Sequence, residues 1–295
     1  MPAPVIVFCY NRPEHLQSTV EQLKKCNLAQ DSTVFFFSDG PKGQNDQNEV
    51  KQVRDYIRKV NGFKEIIIEI SNENKGLANS VIEGVSKVIS KFGSAIVLED
   101  DILVSVDFLE FMNQALDYYF LDHRIYSISG YSYLLEKCND ANGLNLVRRA
   151  SSWGWATWNN RWESVDWSSE ILEKILKDKK LVTKLRTAGE DMPVMVKKQM
   201  LGVINSWAIR WTCQHLLNDA FCLVPRYSKV ENIGTDGSGT NFTEVNNKFT
   251  SKIYESKIDI GIELFFNPKV SNFIKKTFNS SVYRKTLNYL SYGIW

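Results

Sequence analysis

Short apolar segments alternate with stretches of helical periodicity over the first 130 residues. Four of these segments have the length of strands: Val5 to Cys9, Val34 to Phe37, Ile66 to Ile70 and Ala95 to Leu98. Between them, apolar residues recur every three or four positions, which predicts helices that bury one face. The residues expected on those faces are Leu16, Val20, Leu23, Val50, Val53, Ile57, Val60, Leu77, Val81, Val85 and Val88. Apolar strands in turn with helices predict an α/β fold, with a mostly parallel, Rossmann-like sheet covered on both faces.

The pattern is looser after Ile128. A lysine-rich amphipathic helix is predicted over residues 170–187, and a further helix is predicted over residues 204–217. No repeat and no low-complexity linker interrupts the chain, so we predict a single domain. That domain covers residues 1–263, with a first half at 1–130 and a second half at 131–263, and a helical extension occupies residues 264–295.

Composition narrows the class of protein. The chain has 295 residues, 43% hydrophobic and 24% charged, which excludes a disordered chain and a polytopic membrane protein. Its 36 basic and 34 acidic side chains give a net charge of +2, so no nucleic-acid partner is expected. No segment reaches the roughly 20 apolar residues that cross a bilayer, and no secretory signal is found. Five widely spaced cysteines without a CxxC pair favour reduced thiols in a cytoplasmic protein.

The extension is basic and amphipathic. No acidic residue follows Glu263, whereas the extension carries five basic residues: Lys269, Lys275, Lys276, Arg284 and Lys285. Its apolar residues are Phe273, Ile274, Phe278, Tyr283, Leu287, Tyr289 and Leu290. Two interpretations fit this pattern. The extension rests on an anionic membrane surface, or it is a helix packed on the domain with a solvated basic face.

Three carboxylates follow the fourth predicted strand directly. Glu99, Asp100 and Asp101 come after Leu98, at the end of the strand where such sheets bind ligands. Successive carboxylates repel one another, and a divalent cation such as Mg²⁺ or Mn²⁺ is a common reason to keep them together. The alternative is an acidic helix N-terminus, where aspartate caps amide groups and stabilises the helix dipole.

The other strand ends carry groups that suit a nucleotide. Arg12 follows the first strand and is placed to meet a base or phosphate, and Asp39 follows the second and is placed to accept hydrogen bonds from a nucleoside. Lys75 and Asn79 lie where the third helix begins, and amide groups at such a position favour anions. A solvated arginine, a turn aspartate and a plain capping segment explain each feature separately. Their convergence on one sheet edge favours a ligand site.

Several of these segments together carry a family resemblance. They are residues 5–13 (VIVFCYNRP), 38–40 (SDG), 74–79 (NKGLAN) and 97–102 (VLEDDI), and in this order they resemble GT-A-type nucleotide-sugar glycosyltransferases. Residues 95–111 and 152–155 are similar to the animal N-acetylglucosaminyltransferase that begins complex N-glycans. The chain also resembles bacterial glycosyltransferases of surface-polysaccharide gene clusters, through the segments SWGWATW and NIGxDGSGT. The resemblance covers roughly residues 4–242.

The resemblance implies an inverting glycosyltransferase that uses a nucleotide-sugar, with a UDP-sugar as the expected donor. By motif match, Asp101 would hold Mn²⁺ or Mg²⁺, and Glu99 and Asp100 would contact the donor sugar or the ribose. Arg12 and Asp39 would hold the nucleotide. The other donor-site residues that the resemblance implies are Tyr10, Lys75 and Asn79.

The same resemblance implies a division of labour along the chain. Residues 1–130 would bind the nucleotide-sugar, and residues 131–263 would bind the acceptor. Unlike the animal enzyme, the chain shows no amino-terminal membrane anchor, which fits a cytoplasmic bacterial enzyme. Its acceptor would be a saccharide or a lipid-linked oligosaccharide in surface polysaccharide or lipopolysaccharide biosynthesis. The membrane interpretation of the basic extension, which lies outside the resemblance, adds peripheral contact at the inner membrane.

The catalytic base is where the chain departs from its relatives. In the animal enzyme an aspartate pair lies between two tryptophans, whereas the apparent counterpart here, Trp207 to Trp211, contains no carboxylate. Glu190, Asp191 and Asp236 are the remaining candidates, and Asp191 is slightly favoured. For any one of these carboxylates, a surface turn is the more common explanation. The glycine-rich loop that contains Asp236 would close on the donor diphosphate, and Asn241 stands where relatives often have a histidine, so we assign no histidine ligand.

Five of the eight tryptophans fall between Trp153 and Trp167. Buried packing is the usual role of such residues, but aromatic faces also stack on sugar rings. We assign Trp153, Gly154 and Trp155 to the donor and acceptor site, because the resembling enzymes have the floor of the site there. The remaining tryptophans are assigned to the core: Trp158, Trp162 and Trp167.

Two other functions are compatible with this fold. A sugar nucleotidylyltransferase is disfavoured because Tyr10 to Pro13 stands where that class has a glycine-rich phosphate loop with an arginine. A non-catalytic carbohydrate-binding module is suggested by the missing base.

Overall fold

The structure is a computed structural model that describes residues 1–237, 249–255 and 257–294. The strands are β1 (Val5–Cys9), β2 (Thr33–Ser38), β3 (Glu65–Ile70), β4 (Ser94–Glu99), β5 (Ile102–Val104), β6 (Ile125–Ser129), β7 (Leu144–Val147), β8 (Trp155–Trp158), β9 (Phe221–Pro225) and β10 (Val230–Asn232). The helices are α1 (Pro13–Leu23), α2 (Gln47–Ile57), α3 (Leu77–Phe92), α4 (Phe108–Tyr118), α5 (Asn159–Trp162), α6 (Ser169–Lys177), α7 (Lys179–Leu185), α8 (Met192–Met200), α9 (Trp207–Leu217), α10 (Pro268–Thr277) and α11 (Val282–Tyr292). The later part of the glycine-rich loop, Ser238 to Asn241, lies outside the described residues.

The central sheet has eight strands in the order β3-β2-β1-β4-β8-β6-β9-β7. Strands β3, β2, β1 and β4 are parallel, and the register pairs Cys9 with Ser38 and Phe8 with Glu99. The carboxyl ends of β1, β2 and β4 therefore lie side by side. This arrangement puts the segments that follow these strands at one edge of the sheet.

The second half of the sheet is mixed. Strand β8 runs antiparallel to both β4 and β6, β9 is parallel to β6, and β7 is antiparallel to β9. Strands β5 and β10 form a separate antiparallel pair in which Asn232 lies opposite Ile102. This pair draws the segment after β10 towards the end of β4.

Helices cover both faces of the sheet, as the sequence predicts. Alternate residues of β1 point to opposite sides, with Val7 in a core shared with α1, α2 and α4, and Phe8 in a core shared with α3 and α9. Each strand is buried on both faces because the two layers of helices exclude water from it. The α/β fold with a mostly parallel, Rossmann-like sheet is thereby confirmed.

Two predicted helices differ from the observed ones. The helix predicted over residues 170–187 is interrupted at Asp178, whose carboxylate accepts hydrogen bonds from the amides of Lys180 and Leu181 at 2.7 and 3.3 Å. This cap ends α6 and begins α7, because an aspartate that satisfies the amides of a new helix competes with continuation of the old one. Helix α2 ends at Ile57, so Val60 lies beyond it.

The extension contains two helices that relate differently to the domain. Helix α10 buries Val270 and Ile274 in the main core, and the neighbouring Lys269 binds Asp140 at 2.9 Å. No residue of α11 is buried in the described structure. Within the described ranges, no helix has the length and apolarity needed to span a bilayer. The five cysteines have free, buried thiols.

Candidate active site

Arg12 joins the ends of two neighbouring strands. It follows β1, and Asp100 and Asp101 form the turn between β4 and β5. The Nη2 atom of Arg12 lies 2.6 Å from Oδ1 of Asp100 and 2.7 Å from Oδ2 of Asp101. Because β1 and β4 are parallel neighbours, the sheet itself brings these three residues together.

Backbone hydrogen bonds fix the two aspartates. The amide of Tyr10 donates to Oδ2 of Asp100 at 3.2 Å, and Oγ1 of Thr19 donates to the carbonyl of Asp100 at 2.8 Å. The amide of Ile233 donates to the carbonyl of Asp101 at 2.9 Å. The aspartates are therefore held from β1, from α1 and from the segment after β10.

The cluster has an excess of negative charge. Burial raises the pKa of Asp100 to about 6. Arg12 acts to lower this pKa, and the nearby charge of Asp101 acts to raise it further. Desolvation, together with Asp101 and Asp100, raises the pKa of Glu99 well above its ordinary value. Burial alone would lower the pKa of Arg12, but the two aspartates outweigh it and raise the pKa. The guanidinium of Arg12 therefore stays charged, and its single positive charge balances only part of the negative charge of the carboxylates.

The cluster fits a divalent cation that shares its shell with a substrate. Oδ1 of Asp101 is buried and has no hydrogen-bond partner among the described residues, so it remains open as a ligand. Mg²⁺ and Mn²⁺ prefer such oxygens and often take only one or two carboxylates plus phosphates. Within the described ranges, no group of three or more His, Cys, Asp or Glu residues is arranged to hold a metal.

Asp39 organises the start of α3. Its Oδ1 accepts hydrogen bonds from the amides of Gly40 and Lys75, and its Oδ2 accepts one from the amide of Gly76, each at 2.9 Å. The side chain of Lys75 binds Glu83 at 2.5 Å, and Asn79 donates to the carbonyl of Lys75 at 3.0 Å. The amides of Lys75 and Gly76, at the helix start where the sequence predicts an anion, therefore already donate to the carboxylate of Asp39. The nucleotide contacts of Asp39, Lys75 and Asn79 stay predictions.

An open cleft of about 600 Å³ lies beside Tyr10. Its lining residues come from the segment after β1, from the loop after β2 and from the first turn of α2: Asn11, Lys42, Gly43, Gln44, Asn45, Asp46 and Glu49. Tyr10 donates a hydrogen bond to Asp46, and burial together with this bond raises the pKa of Tyr10 to about 12. Sequence reasoning missed this loop, although a run of polar residues directly after a strand end was a usable signal.

Glu190 and Asp191 lie against the second half of the chain and against α10. Asp191 forms a two-pronged ion pair with Arg149 at 2.8 and 3.1 Å. Glu190 binds Arg186 at 2.6 Å and Lys275 at 3.0 Å. Burial acts to raise the pKa of Glu190, but Lys275 and Arg186 outweigh burial and lower it. Asp191 also lines a cleft of about 310 Å³; its other lining residues are Phe249, Phe278, Asn279, Ser280, Ser281 and Arg284.

Asp236 follows the segment that packs on the carboxylate cluster. It is two residues beyond Gly234, where an added β-carbon would overlap Asp101 and Arg12. Its Oδ2 lies 3.2 Å from Nε2 of His15, on the first turns of α1. Of the three predicted bases, Asp236 is therefore the one that these contacts link to Arg12 and Asp101.

The tryptophan cluster is mainly core. Trp155 has no exposed surface, and its ring packs on Trp207 at 4.8 Å and on Trp162 at 5.5 Å between centroids. Since its faces are covered by protein, it is not available to stack on a sugar in this structure, which corrects the assignment of Trp155. Trp158 and Trp162 are buried as predicted.

Trp153 and Gly154 lie at the edge of that core. Trp153 is half-buried and packs edge-on against Tyr131 at 4.6 Å, so the sugar-contact prediction stays open for it. Gly154 has a φ of +57°, and a β-carbon there would lie 2.7 Å from Cγ1 of Val230. This glycine lets β10 pack closely on the segment before β8.

Known proteins offer limited similarity. No protein-family model and no curated protein matches the chain. Among solved structures, it is similar to the mannosyltransferase PcManGT from Pyrobaculum calidifontis in complex with GDP-Man and Mn²⁺, at 12% identity, covering 59% of this chain and 48% of that one, with a TM-score of 0.36. It is similar to TarS of S. aureus at 12% identity, covering 78% of this chain and 36% of that one, with a TM-score of 0.41.

A third structure, UDP-glucose pyrophosphorylase complexed with UDP-glucose, is 12% identical, with 79% of this chain and 94% of that one covered and a TM-score of 0.39. The chain spans about half the length of the mannosyltransferase and about a third of the length of TarS. Similarity of this degree assigns neither a substrate nor a reaction.

Proposed function

We propose that the chain is a metal-dependent, inverting glycosyltransferase that transfers a sugar from a nucleotide-sugar, a UDP-sugar in the first instance, to a saccharide or lipid-linked acceptor. The observation that carries the proposal is the cluster of Arg12, Asp100 and Asp101 at the carboxyl ends of β1 and β4. Tyr10 joins this cluster to the open cleft, because its amide donates to Asp100 and its hydroxyl donates to Asp46, which lines the cleft. Ligands of parallel α/β sheets bind at this edge. We place the reaction in bacterial surface polysaccharide or lipopolysaccharide synthesis on the sequence resemblance alone.

The chain's own residues would bind and orient the donor. Arg12 binds both aspartates and so fixes their side chains. Oδ1 of Asp101 accepts no hydrogen bond in the described structure. A bound Mn²⁺ or Mg²⁺ would supply positive charge to the departing diphosphate. The loop from Lys42 to Glu49 would flank the nucleotide, and Tyr10 would form the side of the cleft.

The acceptor reaction needs a base. An acceptor hydroxyl oxygen forms a bond to the anomeric carbon while the bond from that carbon to the diphosphate oxygen breaks, and the hydroxyl proton passes to a carboxylate. We propose Asp236 for this role, because it is close in the chain to Gly234 and is half-exposed to solvent. Asp191 is less suited because Arg149 holds both of its oxygens.

The test is calorimetric titration of the protein with UDP-, GDP- and dTDP-sugars, with and without Mn²⁺. We expect one donor to bind in the presence of Mn²⁺, and we expect binding to be lost in Asp101→Ala. Asp117→Ala is the matched control, because Asp117 is an exposed aspartate on α4. Absence of binding by every donor would refute the proposal.

Product analysis separates the alternatives. Release of a nucleoside diphosphate, with transfer of the sugar to an acceptor or to water, supports the glycosyltransferase. Release of pyrophosphate from a sugar phosphate and a nucleoside triphosphate identifies a nucleotidylyltransferase instead. Binding without any turnover over a set of acceptors identifies a carbohydrate-binding module.

A further inference from the structure

Helix α11 is oriented with its polar side towards the protein. The partly covered residues of the helix are Lys285, Asn288 and Tyr292, and Nζ of Lys198 on α8 lies 5.3 Å from the ring centroid of Tyr292. Lys285, Asn288 and Tyr292 are spaced i, i+3 and i+7, so they form one stripe along the helix. This stripe is the side on which α11 meets α8.

The opposite side of α11 is apolar and exposed. Tyr283, Leu287 and Leu290 are spaced i, i+4 and i+7 and form one stripe, and Val282 lies at its flank. Val282, Tyr283 and Leu290 expose 71%, 74% and 75% of their surface. A surface helix of a globular protein normally buries its apolar stripe, so this orientation is the reverse of the usual one. Helix α10 packs on the domain with solvated lysines, whereas α11 turns its apolar side outward.

The charge around this face is positive. The extension carries five basic residues and no acidic residue. Lys269 and Lys275 have carboxylate partners on the domain, whereas Arg284 and Lys285 of α11 lie in no ion pair among the described residues. Arg284 flanks the apolar stripe, whereas Lys285 lies on the side that meets α8. An apolar stripe in a basic segment without acidic residues suits a surface that is both apolar and anionic.

We propose that the outer face of α11 (Tyr283, Leu287 and Leu290) binds the surface of an anionic phospholipid membrane. The apolar side chains enter the boundary between headgroups and acyl chains, and Arg284, at the flank of this face, pairs with anionic headgroups. Tyrosine suits this depth because its ring is apolar and its hydroxyl is polar. A second copy of the chain fits less well, since pairing through the same face would bring the basic residues of both copies together.

The test is co-sedimentation of the full chain with two kinds of vesicle, phosphatidylcholine alone and equal parts of phosphatidylcholine and phosphatidylglycerol. We expect binding to the anionic vesicles only, and we expect it to weaken as salt is added. Replacing Tyr283 and Leu290 together by glutamate should lower the partition coefficient by more than about tenfold, since both apolar contacts are lost. Reversing Arg284 and Lys285 to glutamate should lower it at least about fivefold for each charge.

The matched control is Leu121→Glu. Leu121 is 80% exposed, lies just after α4 and is outside the extension, so this variant should bind vesicles like the parent chain. All substituted side chains are exposed or partly exposed, and circular dichroism and urea denaturation will verify that the variants fold. Because no nucleotide-sugar is present, the result does not depend on the proposed function.

Three outcomes would overturn the proposal. One is equal binding by the parent chain and by the Tyr283→Glu/Leu290→Glu variant. Another is binding to neutral vesicles that equals binding to anionic ones. The third is a parent chain that is dimeric in light scattering and becomes monomeric in the glutamate variant, which would make a second copy the occupant of this face.

Discussion

Gly234 lies directly against the carboxylate of Asp101. A β-carbon at position 234 would overlap Oδ2 of Asp101 and would approach Nη1 of Arg12 to 2.6 Å. The amide of Gly234 is held by Oδ1 of Asn232 at 2.8 Å, and Asn232 ends the strand that pairs with β5. The glycine thus packs the segment after β10 onto the Arg12 to Asp101 ion pair.

Gly234→Ala should therefore disturb the donor site. The added methyl group must displace Asp101 or Arg12, and we expect the affinity for the donor to fall by at least about tenfold, since a lost charge-assisted contact is worth roughly 1.5–3 kcal/mol. Calorimetric titration with Mn²⁺ and the donor measures this. Gly143→Ala is the control, because a β-carbon at position 143 meets no atom within 4 Å. Equal loss of affinity in both variants would contradict the role of Gly234.

Arg12→Ala should lower the free energy of unfolding by roughly 3 kcal/mol, because it removes the cation that pairs with the buried carboxylates of Asp100 and Asp101. The double variant Arg12→Ala/Asp100→Asn should recover part of this loss, and urea denaturation at neutral pH measures both. Lys51→Ala, which breaks an exposed pair with Asp55, should leave the unfolding midpoint unchanged. Additive effects of the Arg12 and Asp100 substitutions would show that the two residues are not coupled.

His215 should make stability depend on pH. It is fully buried, its ring lies 2.8 Å from both Oγ of Ser127 and the carbonyl of Trp211, and burial lowers its pKa from 6.5 to about 4. The unfolded chain therefore takes up the proton first as pH falls, so stability is complete above pH 6.5 and is lost towards pH 4. The loss is about 2 kcal/mol between pH 7 and pH 5.

Urea denaturation of the parent chain and of His215→Gln at pH 7 and pH 5 measures this contribution. Between pH 7 and pH 5, His215→Gln should lose about 2 kcal/mol less of its free energy of unfolding than the parent chain. His123→Gln, at an exposed position, serves as the control. An unchanged difference between pH 7 and pH 5 in His215→Gln would mean that His215 does not contribute.

Trp155 should matter for stability and not for donor affinity. Its ring is enclosed by Trp162 and Trp207, so Trp155→Ala should lower the free energy of unfolding by about 3–5 kcal/mol. The milder Trp155→Phe keeps the fold available for titration, and its donor affinity should match that of the parent chain. A large loss of affinity in Trp155→Phe at unchanged stability would show that Trp155 contacts the ligand after all.

Asp236→Asn should lower kcat by about 100-fold or more while donor affinity is retained, because a base acts on the acceptor and not on the donor. Release of nucleoside diphosphate with an active acceptor is the measurement. Asp191→Asn is the comparison: it breaks the pair with Arg149, so it should lower stability more than kcat. The opposite ranking of the two variants in kcat would make Asp191 the base.

Much of the first half could be predicted from the sequence. The four parallel strands were recognised because each is a short apolar run between polar breakers, and the observed strands exceed the predicted runs by at most one residue at each end. Arg12, Asp100 and Asp101 were recognised because they follow strands directly. Local patterns determine these features, since a strand buried on both faces needs apolar residues at every position.

The second half depends on contacts between distant residues. Strand β8 is apolar but lies antiparallel between β4 and β6, and nothing in its own residues specifies those neighbours. The same holds for Trp155, because a tryptophan that packs in a core and one that stacks on a sugar have identical local sequence. Only the surrounding rings decide between the two roles.

The sequence by itself determined that this protein has an α/β sheet with acidic and basic groups at one edge, and that its last residues are basic and amphipathic. Tertiary structure alone decided that Arg12 binds both aspartates, that Gly234 closes on them, and that the apolar side of α11 faces outward. The physical reason is that hydrophobic periodicity specifies which side of an element is apolar, while its partner is chosen by packing between elements that are far apart in the chain.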